Sequence, residues 1–146
     1  MFDKFLQRLL ISLLLMMTGC KAEYTNYTQL GLESLKKQDI YEAFTYFEKA
    51  INQNPSDVSN YLIVGQCYFQ LKFYQRSVYA FAAATRVDPS NGDAYFFLSR
   101  SYMYIGDIEN AVKSAKKSIT IYYRQNNIEG LKQSVMLLKS LELKNH

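Results

Sequence analysis

The chain has 146 residues, a formal charge of +4, 49% apolar residues and 13 Tyr. This is one domain's worth of chain, able to build a core without metal or disulfide support, and its mild charge does not by itself imply nucleic acid. The sole His is His146, the final residue, and no phosphate loop or dinucleotide fingerprint is present, so neither an enzyme nor a bound cofactor is expected.

Residues 1–19 read as a secretory signal. Lys4 and Arg8 supply the positive start, and Leu9 to Met17 supply a nine-residue apolar middle broken only by Ser12. Such a run is too short to cross a bilayer, which needs about 20 helical residues, and it suits the apolar region of a signal. The segment ends Met17-Thr18-Gly19-Cys20, which resembles the lipobox of bacterial lipoproteins. That resemblance implies cleavage after Gly19, a diacylglycerol thioether on Cys20, and a fatty acyl group such as palmitate on the new amine. Lys21 stands where an Asp tends to hold such proteins on the inner membrane, so the resemblance points to the outer membrane, facing the periplasm. An ordinary signal, leaving a periplasmic or secreted protein without lipid, is the alternative. With Cys20 acylated, Cys67 has no partner for an internal disulfide. Residues 20–23 form a very short tether.

From residue 24 onward the chain repeats itself at a step of 34 residues. The middle unit shows Tyr61, Val64, Gly65 and Tyr68, then Ser77, Phe81, Ala84 and Pro89; one step earlier stand Tyr27, Leu30 and Gly31, then Ala43, Phe47, Ala50 and Pro55. One step later Tyr95, Leu98, Ser99, Tyr102 and Ala111 remain, but Ala115 replaces the phenylalanine and Tyr123 the proline. Apolar residues three and four apart on either side of a polar turn read as paired amphipathic helices. Asn54-Pro55-Ser56-Asp57 and Asp88-Pro89-Ser90-Asn91 stop a helix and prepare the next, while Asp39, Asp88 and Asp107 read as caps.

This residue grammar resembles the tetratricopeptide repeat. The expected fold is therefore all-α, a solenoid of three helix-turn-helix repeats over 24–57, 58–91 and 92–125, the third with a degenerate second helix from Ile108 to about Ile121. A capping helix and tail over 126–146 follow, with Ile128, Leu131, Val135, Leu138 and Leu141 on its inward face, giving seven helices after the signal. Gly31 and Gly65 fit where paired helices approach closely, and Phe47 and Phe81 fill the space between hairpins.

In such domains the first helix of each hairpin lines a concave groove. The resemblance places Thr28, Leu32, Leu35 and Lys36 there, then Leu62, Gln66, Phe69 and Gln70, then Phe96, Arg100, Met103 and Tyr104. An apolar groove with few polar points suits an extended segment or amphipathic helix of a partner protein, with Phe69 and Met103 as leading anchors. Related co-chaperones grip acidic chaperone tails with Lys, Asn and Arg at set positions. Here Thr28, Leu32, Ile63, Asp93 and Phe97 stand at those positions, so an acidic tail is a poor candidate.

The C-terminal part is basic: from Ala111 onward there are seven basic and two acidic residues, including Lys113, Lys116 and Lys117. This reads as a solvated face, with lipid headgroups or nucleic acid as the alternative ligands, although no nucleic acid is expected. Together the resemblances imply a membrane-anchored adaptor for an envelope complex, in pilus assembly, secretion or outer-membrane biogenesis. The anchor predicts that Cys20→Ser releases the protein from the membrane fraction and removes the lipid mass from the intact protein. A Cys20→Ser protein that stays membrane-bound, beside a wild type without added lipid mass, overturns the anchor.

Overall fold

A computed structural model describes residues 26–144. The signal, Cys20, the tether and His146 lie outside the described residues. Seven helices follow one another: α1 (Tyr27–Lys36), α2 (Ile40–Gln53), α3 (Val58–Gln70), α4 (Tyr74–Val87), α5 (Gly92–Tyr104), α6 (Ile108–Arg124) and α7 (Ile128–Lys144). The chain pairs α1 with α2, α3 with α4 and α5 with α6, stacks the pairs in order, and closes the stack with α7 against α6. Among the described residues there is no strand, and no helix is long and apolar enough to cross a membrane.

Side chains just ahead of the helices satisfy backbone N–H groups that have no partner within the helix. Asn26, Asp39, Asp57, Asn91 and Asp107 each accept from a backbone N–H of the first turn, at 2.9–3.1 Å. Asp88 acts differently from the expected cap. It ends α4, and its carboxylate accepts from Ser90 N at 2.9 Å and Ser90 Oγ at 2.7 Å, which shapes the turn around Pro89. Those bonds hold its carboxyl below the ordinary value.

Two kinds of link alternate along the chain. Within each hairpin a residue in the left-handed region (Gln38, Lys72, Gly106) reverses the backbone, and the next amide reaches back to the last turn of the helix. Asp39 N bonds to Ser34 O at 2.9 Å, Phe73 N to Tyr68 O at 2.8 Å and Asp107 N to Tyr102 O at 3.0 Å, the pattern of a Schellman motif. Between hairpins, Pro55 and Pro89 stop the helices instead. The link from α6 to α7 breaks the alternation, since Asn126 is left-handed and Asn127 N bonds to Tyr122 O at 3.0 Å. Without a proline at 123, α6 runs on to Arg124 rather than ending near Ile121, and its turn is of the within-hairpin kind.

The core is a row of buried aromatic rings set against helix backbone. Phe47 and Phe81 are fully buried. A Cβ on Gly31 would collide with the Phe47 ring, and one on Gly65 would stand 2.7 Å from the Phe81 ring. The glycines therefore make room chiefly for a ring from the second helix, as well as for close approach of the two backbones. Each ring also meets the next hairpin: Phe47 packs with Val64 and Cys67, and Phe81 with Leu98. Buried hydroxyls cross the interfaces between helices. Ser77 Oγ donates to Ser101 Oγ at 2.8 Å, Ser99 Oγ to Ala111 O at 2.7 Å, and Ser118 Oγ to Ser134 Oγ at 2.9 Å.

The third hairpin has Ser99 and Ala115 where the others have glycine and phenylalanine, and its aromatic enters elsewhere. Tyr122, in the run-on of α6, is buried between Gly92 of α5 and Gly130 of α7, where a Cβ on either would stand 2.6 Å from its ring. Its hydroxyl donates to the Asp93 carboxylate. Burial, and then the hydrogen bond and charge of Asp93, push the phenol far above its ordinary value, so it stays protonated. The capping helix keeps most of the expected face: Leu131, Val135 and Leu138 are half-buried, and only its first residue departs. Leu141 and Ser134 are buried and Leu137 and Leu138 pack inward, whereas Ile128 is 72% exposed.

This packing makes a signed prediction. Ala in place of Gly130 gains about 1 kcal/mol of helix propensity, but its Cβ would stand 2.6 Å from the Tyr122 ring. Gly130→Ala is therefore expected to destabilise the wild type and to stabilise a Tyr122→Ala chain. Chemical denaturation of the four proteins measures the coupling, expected to be about 1 kcal/mol or more; additive effects would show that the ring does not need this glycine.

Candidate binding groove

In a curved stack the helices on the inner side approach each other more closely than those on the outer side. The first helices α3 and α5 touch, as do α5 and α7, while no comparable contact joins the second helices α2, α4 and α6. The first helices therefore line the inner face.

One cavity lies along it and a second opens at its edge, beside the turns that end α1 and α3. The first, of about 270 Å³, is walled by Gln66, Phe69 and Gln70 of α3 with Phe97 and Arg100 of α5. The other, of about 500 Å³, is walled by Leu35, Gln38 and Ile40 on one side and Cys67, Gln70 and Leu71 on the other. Gln70 belongs to both, so the two adjoin across α1, α3 and α5. Burial pushes the Cys67 thiol above its ordinary value and keeps it uncharged beside the second cavity.

Aromatic rings and one cation give the first cavity its character. The Arg100 guanidinium lies 4.8 Å from the Phe69 ring centre and 5.9 Å from those of Phe96 and Phe97. Tyr104 stacks on Tyr74 at 4.5 Å, and both meet Phe69 edge-on, at 5.2 and 5.3 Å. Offset and edge-on pairs of this kind are worth about 0.5–1.5 kcal/mol each beyond their buried area. A guanidinium over a ring adds about 0.5–1 kcal/mol where exposed. The cluster is thus held in shape while Tyr104 stays half-exposed at its rim.

Of the residues expected in the groove, the structure brings Gln66, Phe69 and Arg100 to one cavity and Leu35 to the other, with Tyr104 and Phe96 beside the cluster. It does not bring Leu32, Leu62 and Met103 to either. Leu32 is half-buried against the group containing Ala43, Phe47 and Val64; Leu62 packs against Val78, Phe81 and Leu98. Met103 packs beneath the cap against Ala111, Ala115 and Leu141. Tyr74 and Phe97 complete the cluster although the first-helix pattern did not single them out as anchors. Tyr74 opens a second helix, where only its distance from the end of α3 hints that it can reach Phe69. Among the described residues, no three His, Cys, Asp or Glu side chains converge as a metal site would require.

A family model of the tetratricopeptide repeat matches residues 24–57 and 92–125, on either side of the α3–α4 hairpin. Two curated relatives are Superkiller protein 3 of Schizosaccharomyces pombe, 23% identical over 96 residues and 66% of this chain, and that of Saccharomyces cerevisiae, 27% over 78 residues and 53%. The matches cover only 7% and 5% of those relatives, so this chain corresponds to a small part of their length. Similar solved structures include PcrH of Pseudomonas aeruginosa in complex with the chaperone binding region of PopD (TM-score 0.74, 14% identity, 87% of this chain and 96% of that one). The Yersinia enterocolitica type III secretion chaperone SycD, in complex with a peptide of the translocator YopD, gives 0.72 at 12% identity over 87% and 98%. The first TPR of Spaghetti (RPAP3), bound to the HSP90 peptide SRMEEVD, gives 0.66 at 17% identity over 81% and 89%. At these identities the structural likeness speaks for the fold alone; the matched model identifies tetratricopeptide repeats at residues 24–57 and 92–125, within a helical solenoid of that fold.

Proposed function

We propose that the chain is an adaptor whose inner groove holds a segment of a partner protein, and that a lipid on Cys20 keeps it on an envelope membrane, the outer one facing the periplasm. There it serves assembly of an envelope complex, of the kind found in pilus, secretion or outer-membrane pathways. The observation that carries the groove reading is the pair of adjoining cavities that share Gln70 and cross three successive first helices. Helical repeats bury their own apolar faces by stacking, so an aromatic cluster left open on the inner side has capacity for an outside side chain. The folds of PcrH and SycD, each solved with a segment of another protein, support the same reading.

The lining selects a segment by chemistry. Phe69, Phe97 and Tyr104 accept an apolar or aromatic side chain, Arg100 a carbonyl or carboxylate beside it, and Gln66 and Gln70 the polar groups of an extended backbone. A wholly acidic tail fits poorly, since Thr28, Leu32, Ile63, Asp93 and Phe97 occupy the places where such tails would need cations.

Affinity capture from the native envelope, with mass spectrometry of what is retained, identifies the partner. The double variant Phe69→Ser, Arg100→Ala is expected to lose capture by about tenfold or more, as truncation of central aromatic and Arg anchors does, while it stays folded at the capture temperature despite the lost ring pairs. Met103→Ser, beneath the cap, is expected to lower the melting temperature while the folded protein keeps its capture. Undiminished capture by a folded Phe69→Ser, Arg100→Ala protein removes these residues from the site.

A further inference from the structure

The outer face carries two clefts built by the same repeat positions one step apart. The first lies among α2, α3 and α4 and has a volume of about 450 Å³. The second, between α5 and α6, has about 590 Å³. Tyr61 and Tyr68 of the first recur as Tyr95 and Tyr102 of the second, so the aromatic wall is kept. The opposite wall is not. Arg76, Tyr79 and Ala83 give way to Asn110, Lys113 and Lys117, and Lys116 joins them.

That exchange changes the charge of an otherwise equivalent cleft. The first is lined by one carboxylate, Glu48, and one cation, Arg76, whose guanidinium already lies 5.7–5.9 Å from the ring centres of Phe44, Tyr68 and Phe73. The second is lined by three lysines and no carboxylate. Asn110 Nδ2 donates to Asp107 at 2.8 Å and Thr120 Oγ1 to Lys116 O at 3.0 Å, so these two side chains are engaged. The charged donors that can meet a ligand are the three ammonium groups, all on exposed residues. Lys113, Lys116 and Lys117 are spaced by three and four residues along α6, the arrangement in which like charges oppose one another on a helix face. Lys117 Nζ also sits 6.0 Å from the Tyr95 ring centre, at the cleft's aromatic side.

We propose that the α5–α6 cleft is an anion site for a phosphate-bearing ligand, with Lys113, Lys116 and Lys117 as its charged wall and Tyr95 and Tyr102 as its aromatic one. One cation balances a carboxylate. Three clustered cations suit a group carrying close to two negative charges at neutral pH, as a phosphate monoester does. The cleft volume leaves room for an organic part against the tyrosines. The same chemistry is offered by a free phosphate compound and by a phosphate headgroup at a lipid surface. This site is on the opposite face from the groove and is independent of what the groove binds.

The test uses the full chain and two variants of equal charge. Lys113→Gln, Lys116→Gln, Lys117→Gln removes the cleft cations, and Lys37→Gln, Lys132→Gln, Lys139→Gln removes three exposed lysines elsewhere. Binding is measured to inorganic phosphate, and to phosphatidylcholine vesicles with and without phosphatidic acid, after melting curves confirm that all three proteins are folded. The cleft variant is expected to bind about tenfold or more weakly than both other proteins. Selective loss towards inorganic phosphate assigns the site to a free compound, and selective loss only towards vesicles containing phosphatidic acid assigns it to a headgroup. Equal weakening of the two variants, or no binding of the wild type to either probe, overturns the proposal.

Discussion

The stack depends on an aromatic ring laid against a stretch of helix that has no side chain to obstruct it. Gly31 gives that space to Phe47 and Gly65 gives it to Phe81. A glycine within a helix costs about 1 kcal/mol relative to alanine, whereas truncating a buried phenylalanine costs on the order of 3–5 kcal/mol. The exchange favours the glycine wherever the ring has no other place to go. It also joins neighbours, because the ring that covers its own hairpin's glycine presents its other side to the hairpin that follows. Stability in such an array is a sum over units and the contacts between adjacent units, and the same buried ring contributes to both.

The third hairpin shows what happens when that arrangement is dropped. Ser99 bonds to Ala111 O, and the small Ala115 lets α5 and α6 pack without an intervening ring. The last helix then has to be held by something else. Tyr122 does this from the far end of α6, gripped between Gly92 and Gly130, with its hydroxyl on Asp93. The ring on bare backbone is kept as a device and moved to the boundary where the stack ends. The absence of a helix-stopping proline at 123 makes the move available, since Tyr122 falls within the run-on of α6.

Much of this was legible because it followed the repeat step. Gly31 and Gly65, Phe47 and Phe81, Pro55 and Pro89 are conspicuous residue types, and their regular spacing led directly to hairpins and links. Tyr122 was not legible, because its partners stand 30 residues before it and eight after it, off the repeat step. In α7, five apolar residues at helical spacing read as one inward face. Four of them do turn inward, Leu141 fully and Leu131, Val135 and Leu138 in part, while Ile128, at the helix start, faces solvent. The groove was legible to the resolution of a helix and not of a side chain. Met103 and Tyr104 are adjacent in sequence and point about 100° apart around α5, so one packs beneath the cap and the other stacks on Tyr74 at the groove. Such a division depends on where the next helix docks, which spacing alone does not specify.

The groove's stiffness follows from the same packing. Ser77 on Ser101 joins α4 to α5 and Ser118 on Ser134 joins α6 to α7 through fully buried bonds that hold the register of each pair. Of the helices that wall the inner cavities, α5 is held to α4 in this way, while Phe69 of α3 is held by its edge-on contacts with Tyr74 and Tyr104. On the proposed reading of the groove, Phe69 and Arg100, on α3 and α5, are in place before a partner arrives, and the cost of ordering on binding would fall mainly on the incoming segment. Under that constraint affinity concentrates in the few side chains that fill the cavities. If the groove binds as proposed, a segment with one well-fitting apolar residue would be favoured over a longer one that makes many shallow contacts.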